Sequence, residues 1–145
     1  MFLTQVLNGL QLGSIYALVA LGYTMVYGII LLLNFAHGDI IMFGSYVAWI
    51  ALVQLGLNPA IAVLLAVFGC VVLGVLIDKV AYAPLREAPR LSILITAIGV
   101  SYLLENGVQL LLGADAKVVP SIIDLGTVQV FGSTLSGTAL LTVAV

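Results

Sequence analysis

Between Phe2 and Leu112 charges fall only at Asp39, within 78–90 and at Glu105, and long apolar runs fill the space between them. That pattern constrains the fold more than any single motif. A bilayer-crossing helix needs roughly 20 predominantly apolar residues, and runs of that order recur here. Of 145 residues, 63% are hydrophobic and 7% charged, where a soluble domain carries about a quarter charged residues. A soluble core of this size lacks the polar exterior needed to hide so much apolar surface. The sequence therefore reads as an integral membrane protein, all-α, because only helices or closed barrels satisfy the backbone in lipid. The formal net charge of -2 offers no basic patch, which excludes nucleic acid as a partner class. Cys70, the single cysteine, allows no internal disulfide and reads as a small packing residue.

The runs parse into four complete spans and the start of a fifth. Met1 to Gly13 has no charged n-region or small-residue cleavage site, so the first run is expected to stay as a membrane helix. Thr4, Gln5, Asn8 and Gln11 give it an amphipathic lead-in, followed by a span over about 12–33. The second span covers about 39–55, with Asp39 suited to cap its first turn. Gly56, Asn58 and Pro59 make a turn, with Pro59 opening the third span over about 60–77. Residues 78–90 form a polar loop in which Pro84 and Pro89 argue against continuous helix. The fourth span covers about 91–112. An external segment over 113–137 carries Lys117 and a strand-like patch at Val128–Phe131. A fresh apolar run starts at Thr138 and stops at Val145, which leads us to expect the N-terminal portion of a longer, single transmembrane domain.

Lys79, Arg86 and Arg90 lie in the 78–90 loop and are three of the four basic residues, so the positive-inside rule makes that loop cytoplasmic. Counting back puts Asn34–Asp39 towards the cytoplasm and the N-terminus outside. A second parse fits the same lengths. In it the polar segment dips to mid-membrane as the junction of a broken or re-entrant helix. Small residues at four-residue spacing, such as Gly9, Gly13 and Ala17, Gly44 and Ala48, Ala62 and Ala66, and Cys70 and Gly74, predict closely approaching helices. Tyr16, Tyr23 and Tyr27 fall close to one face of the first run and read as packing or interfacial anchors, with a pathway lining as the alternative.

Asn34, Phe35, His37, Gly38 and Asp39 concentrate an amide, an imidazole and a carboxylate between apolar helices. Polar groups in that setting mark a break, a pathway or a site. Metal binding lacks ligands, since the chain has one His and one Cys. Catalysis lacks a nucleophile–base pair, because Ser45, the nearest hydroxyl, belongs to the next helix. No catalytic residue, metal or cofactor is therefore assigned. Two readings stay open: Asn34 and Gly38 turn the chain while Asp39 caps the second span and His37 bonds a carbonyl, or the segment lines a translocation pathway or gate. Glu105, just past the centre of the fourth span, is the other candidate; it lines the pathway, or it approaches the external interface or pairs with Asn106 and Gln109. Lys79, Arg86 and Arg90 set orientation and are candidates for contact with a partner protein.

These residues occur in a recognisable order. Asn8-Gly9-Leu10, Gly13 to Leu18, Gly22 and Tyr27-Gly28 precede Asn34-Phe35-Ala36-His37-Gly38-Asp39. Gly44-Ser45-Tyr46, Ala83-Pro84-Leu85-Arg86 and Gly99 to Asn106 follow. In this order they resemble the first permease subunit of bacterial branched-chain amino-acid ABC importers, over about the first half of a typical member. The resemblance implies a multi-pass subunit of the inner membrane, paired with a second homologous permease. Two cytoplasmic ATPase subunits would drive it and a periplasmic solute-binding protein would deliver Leu, Ile or Val. The permease itself would hydrolyse nothing. Permeases for urea and short amides share a close variant of the polar block and are the alternative substrate reading; a passive channel is the alternative mechanism.

Overall fold

The computed structural model describes residues 1–120, 126–130 and 133–145. Its elements are α1 (Phe2–Ile30), α2 (His37–Trp49), α3 (Pro59–Ile77), α4 (Arg90–Leu112), the strands β1 (Thr127–Val130) and β2 (Ser133–Ser136), and α5 (Gly137–Ala144). They sort into two compact units: Met1–Ile29 grouped with the C-terminal segment, and Ile30–Pro120.

In the first unit α1 is one uninterrupted helix of 29 residues. The expected polar lead-in does not separate from it, because Thr4, Gln5, Asn8 and Gln11 remove no backbone donor and break no turn. It ends at Ile30, earlier than the expected span. Leu31 follows in the left-handed region at φ 57, a conformation that costs a residue with a Cβ about 1–2 kcal/mol. The strand-like patch proves to be half of an antiparallel hairpin, with Thr127 opposite Ser136 and Val130 opposite Ser133. Phe131, counted with that patch, lies outside the described residues. Ala139, Leu140 and Val143 of α5 lie across a small cavity from Leu7, Leu10 and Gln11 of α1.

The second unit is a helical bundle. Asn58 caps α3 by accepting the Ala60 N–H at 3.0 Å, and Pro59 sits in the first turn where its missing N–H is not needed. Gly56, at φ +60, makes the preceding turn. Beyond Ile77 the structure departs from expectation, since helical turns continue to Leu85. Asp78–Tyr82 is a wide π turn, closed by the Ala83 N–H donating to the Asp78 carbonyl, and Ala83–Leu85 is a tighter 3₁₀ turn. The changes of pitch put Pro84 at the start of the 3₁₀ turn, where no intrahelical N–H is required. The break therefore comes only at Glu87–Pro89, before α4.

Among the described residues, three helices are long and apolar enough to cross a membrane: Phe2–Ile29, Pro59–Leu85 and Arg90–Leu112. The second expected span is shorter. It consists of α2, 13 residues, extended by a five-residue π turn over Ile50–Gln54.

Close approach of α2 to α3 rests on small residues, as the spacing predicts for Gly44 and Ala48. Both are buried, together with Ala51 and, on α3, Ala62. A Cβ on Gly44 would lie 2.6 Å from Cys70 Sγ. That thiol donates to the Ile40 carbonyl at 3.4 Å. Gly74 has open space around it, so its part of the expected α3 face makes no such contact. Ile93, Ala97 and Val108 form the buried strip of α4. Large apolar side chains face outward instead, Phe68 at 67% and Leu110 at 87% exposure among them. In water that surface would be untenable; against lipid it is the ordinary exterior. At the far end of α2, Lys117 lies over the Trp49 ring, 5.2 Å from its centroid.

Candidate functional site

The polar segment owes its shape to Asn34. Its Oδ1 accepts the Ala36 N–H at 3.1 Å, and its carbonyl accepts the His37 N–H at 3.2 Å, so one residue turns the chain from the end of α1 into α2. The same Oδ1 also accepts the Tyr82 hydroxyl at 2.8 Å. A backbone N–H can only donate, which fixes the amide's oxygen on that side. Asn34 thus ties the junction to the π turn at the end of α3. This is the turning role expected of it, with one partner the sequence did not announce.

Asp39 does something other than expected. Ala36 is the residue before α2, and no side chain caps that helix. The Asp39 carboxylate instead accepts the Ser101 hydroxyl from α4. Asp39 lies in the first turn of α2, on the side that faces α4. Ser101 is the middle residue of the 23 in Arg90–Leu112. The segment therefore extends from the end of α3 to the midpoint of α4.

The remaining expected residues divide. His37 is half-buried at the start of α2, Phe35 is 47% exposed and Gly38 is exposed. Glu105 follows Ser101 by one turn but is exposed, and the Asn106 amide donates to the Tyr102 carbonyl at 2.7 Å rather than to Glu105. Ser45 Oγ donates to the Ile41 carbonyl of its own helix. Lys79 and Arg90 are exposed and do not line the cavity beside Asn34, whereas Arg86 does.

A cavity of about 360 Å³ opens beside Asn34. Leu32, Leu33, Ile93 and Ala97 make its apolar wall; Asn34, Asp78, Tyr82 and Arg86 make its polar side. Arg86 Nη2 donates to Asp78 Oδ2 at 3.1 Å. The volume falls in the range of small-molecule sites, about 300–1,000 Å³, and so does the pattern of an apolar wall with a few converging polar groups.

Asp78, Tyr82 and Ser101 were not singled out by sequence reasoning. A signal existed. Asp78, Tyr82 and Arg86 are spaced by four, one helical face if the helix runs past Ile77, and the two prolines masked it. Ser101 continues the strip of Ile93 and Ala97 as its polar member.

The chain matches the family described as branched-chain amino acid transport system, permease component, over residues 5–145. It is 46% identical over 130 residues to the high-affinity branched-chain amino acid transport system permease protein BraD of Pseudomonas aeruginosa, covering 84% of this chain and 42% of that protein. It is also 46% identical over 129 residues to the permease protein LivH of the corresponding systems in Salmonella typhimurium and Escherichia coli K12, covering 83% of this chain and 42% of each relative. The chain thus spans less than half the length of these curated relatives. No solved structure matches it. With its membrane-length helices and this match along nearly its whole length, the chain belongs to the permease-component family of branched-chain amino acid transport systems.

Proposed function

We propose that the chain contributes the junction-bearing part of a permease subunit in a bacterial inner-membrane ABC importer for branched-chain amino acids. In this reading a second homologous permease completes the pathway, two cytoplasmic ATPases drive it and a periplasmic binding protein supplies solute. The N-terminus is periplasmic, the basic 78–90 segment cytoplasmic, and the external segment follows α4. The observation that carries the reading is the interruption at Leu31–Ala36 and the first turn of α2 that follows it, where Tyr82 holds Asn34 and Ser101 holds Asp39, beside a largely apolar cavity. Irregular backbone persists at membrane depth where protein or a water-filled cavity satisfies it. A pathway for apolar amino acids needs that combination of hydrophobic wall and sparse polar groups. Alternating access would follow from the ATPases closing and separating, with the short α2 and its junction as the element that changes exposure.

Leucine uptake by the full-length importer in proteoliposomes tests this. The expected result is uptake that requires ATP and binding protein and that falls at least about tenfold in Asn34→Ala, the scale of losing two neutral hydrogen bonds of about 1 kcal/mol each. Uptake without nucleotide would mean a channel. Uptake of urea or acetamide in preference to leucine would mean the short-amide branch of the family.

A further inference from the structure

Four polar groups around the 360 Å³ cavity have bonding capacity left over, and their signs are ordered. Arg86 Nη2 is bound to Asp78 Oδ2, which leaves Asp78 Oδ1 as an acceptor and the Arg86 Nη1 and Nε groups as donors. Tyr82 donates its proton to Asn34 Oδ1, so its oxygen can only accept from a further partner. Asn34 Oδ1 takes two donors, and its Nδ2 has no hydrogen-bond partner among the described residues. Acceptors therefore sit at Asp78 and Tyr82, and donors at Arg86 and Asn34. Leu33 and Ile93 supply apolar wall opposite them.

We infer that this cavity is a solute site for an amino-acid zwitterion, with the Asp78–Arg86 pair as its headgroup clamp. The inference rests on the permease reading above and assigns residues to it. The solute ammonium donates to Asp78 Oδ1 and Tyr82 Oη. Its carboxylate accepts from Arg86 Nη1 and from Asn34 Nδ2. Its apolar side chain lies against Leu33 and Ile93. The ion pair need not open to admit the ligand, because each partner uses atoms the pair leaves vacant. The clamp selects charge separation: a neutral amide of the same shape leaves the solvated pair nothing to complement.

Equilibrium binding of radiolabelled leucine to the full-length permease–ATPase complex in nanodiscs, without binding protein, tests the assignment. The comparison ligand is isocaproamide, which has leucine's side chain and no charge. Leucine is expected to bind saturably and more tightly than isocaproamide. Asp78→Asn and Arg86→Gln each weaken leucine by about tenfold or more, the scale of a lost charge-assisted bond, and leave isocaproamide within about twofold. Equal loss for both ligands would make the pair structural and overturn the inference. So would leucine binding unchanged in both variants, or no leucine binding in the wild-type complex. If Arg86→Gln does not assemble by gel filtration, Asp78→Asn carries the same contrast. ATP-driven uptake of leucine by the wild-type importer is measured alongside; its failure would count against the permease reading, and its success with unaltered variant binding against the clamp alone.

Discussion

At Asp39 a carboxylate that the sequence would place as a helix cap is bonded across the bundle to Ser101. An oxygen acceptor, not a charge, is what that bond requires. Asp39→Asn is therefore expected to melt close to the wild type, whereas Asp39→Ala loses about 1–3 kcal/mol, the usual cost of stripping a partner from a half-buried polar pair. Thermal melting of the full-length complex in detergent checks this; equal damage from both substitutions would mean the charge itself matters. Leu31 gives a second case. Its φ of 57 disfavours any residue with a Cβ, so Leu31→Gly should leave stability level or raise it by up to about 1 kcal/mol, while Leu31→Val should lower it. The polar block was legible as a junction because Asn34 is a good turn former. Its partners were not, because Tyr82 and Ser101 are remote in sequence and a hydroxyl on an apolar helix carries no mark of what it meets.

Among elements, α2 and α3 show how small residues act. Gly44 leaves room for Cys70 Sγ, and the thiol occupies that room while bonded to Ile40. Gly44→Ala should destabilise by about 1–3 kcal/mol through overpacking, and adding Cys70→Ala should restore most of the loss. A double-mutant cycle on the melting temperature measures the coupling; additive losses would show that the contact does not hold the helices together. The four-residue spacing pointed to this face directly. The same spacing at Gly74 pointed to nothing that the structure fills, since periodicity identifies a face and not its neighbour. The end of α3 was misjudged for a different reason. Pro84 does exclude a regular helix, but a π turn followed by a 3₁₀ turn absorbs it, and that solution carries Asp78, Tyr82 and Arg86 to one cavity.

For the whole molecule, class and family follow from composition and motif order, while the path of a solute follows from geometry. The outward-facing apolar surface fits lipid, and the short α2 with its polar entry is the exception that a pathway would use. Cys70 is the single cysteine of these 145 residues; it and the other native cysteines of the full-length importer are replaced before a site-directed probe is introduced. The most direct measurement is the labelling rate of Leu33→Cys, which lines the cavity beside Asn34, in that background and in the full-length importer, with a membrane-impermeant thiol reagent. A junction that lines the pathway predicts labelling whose rate changes with ATP and falls several-fold with leucine. Labelling only by a lipid-soluble maleimide, unaffected by either ATP or leucine, would contradict it.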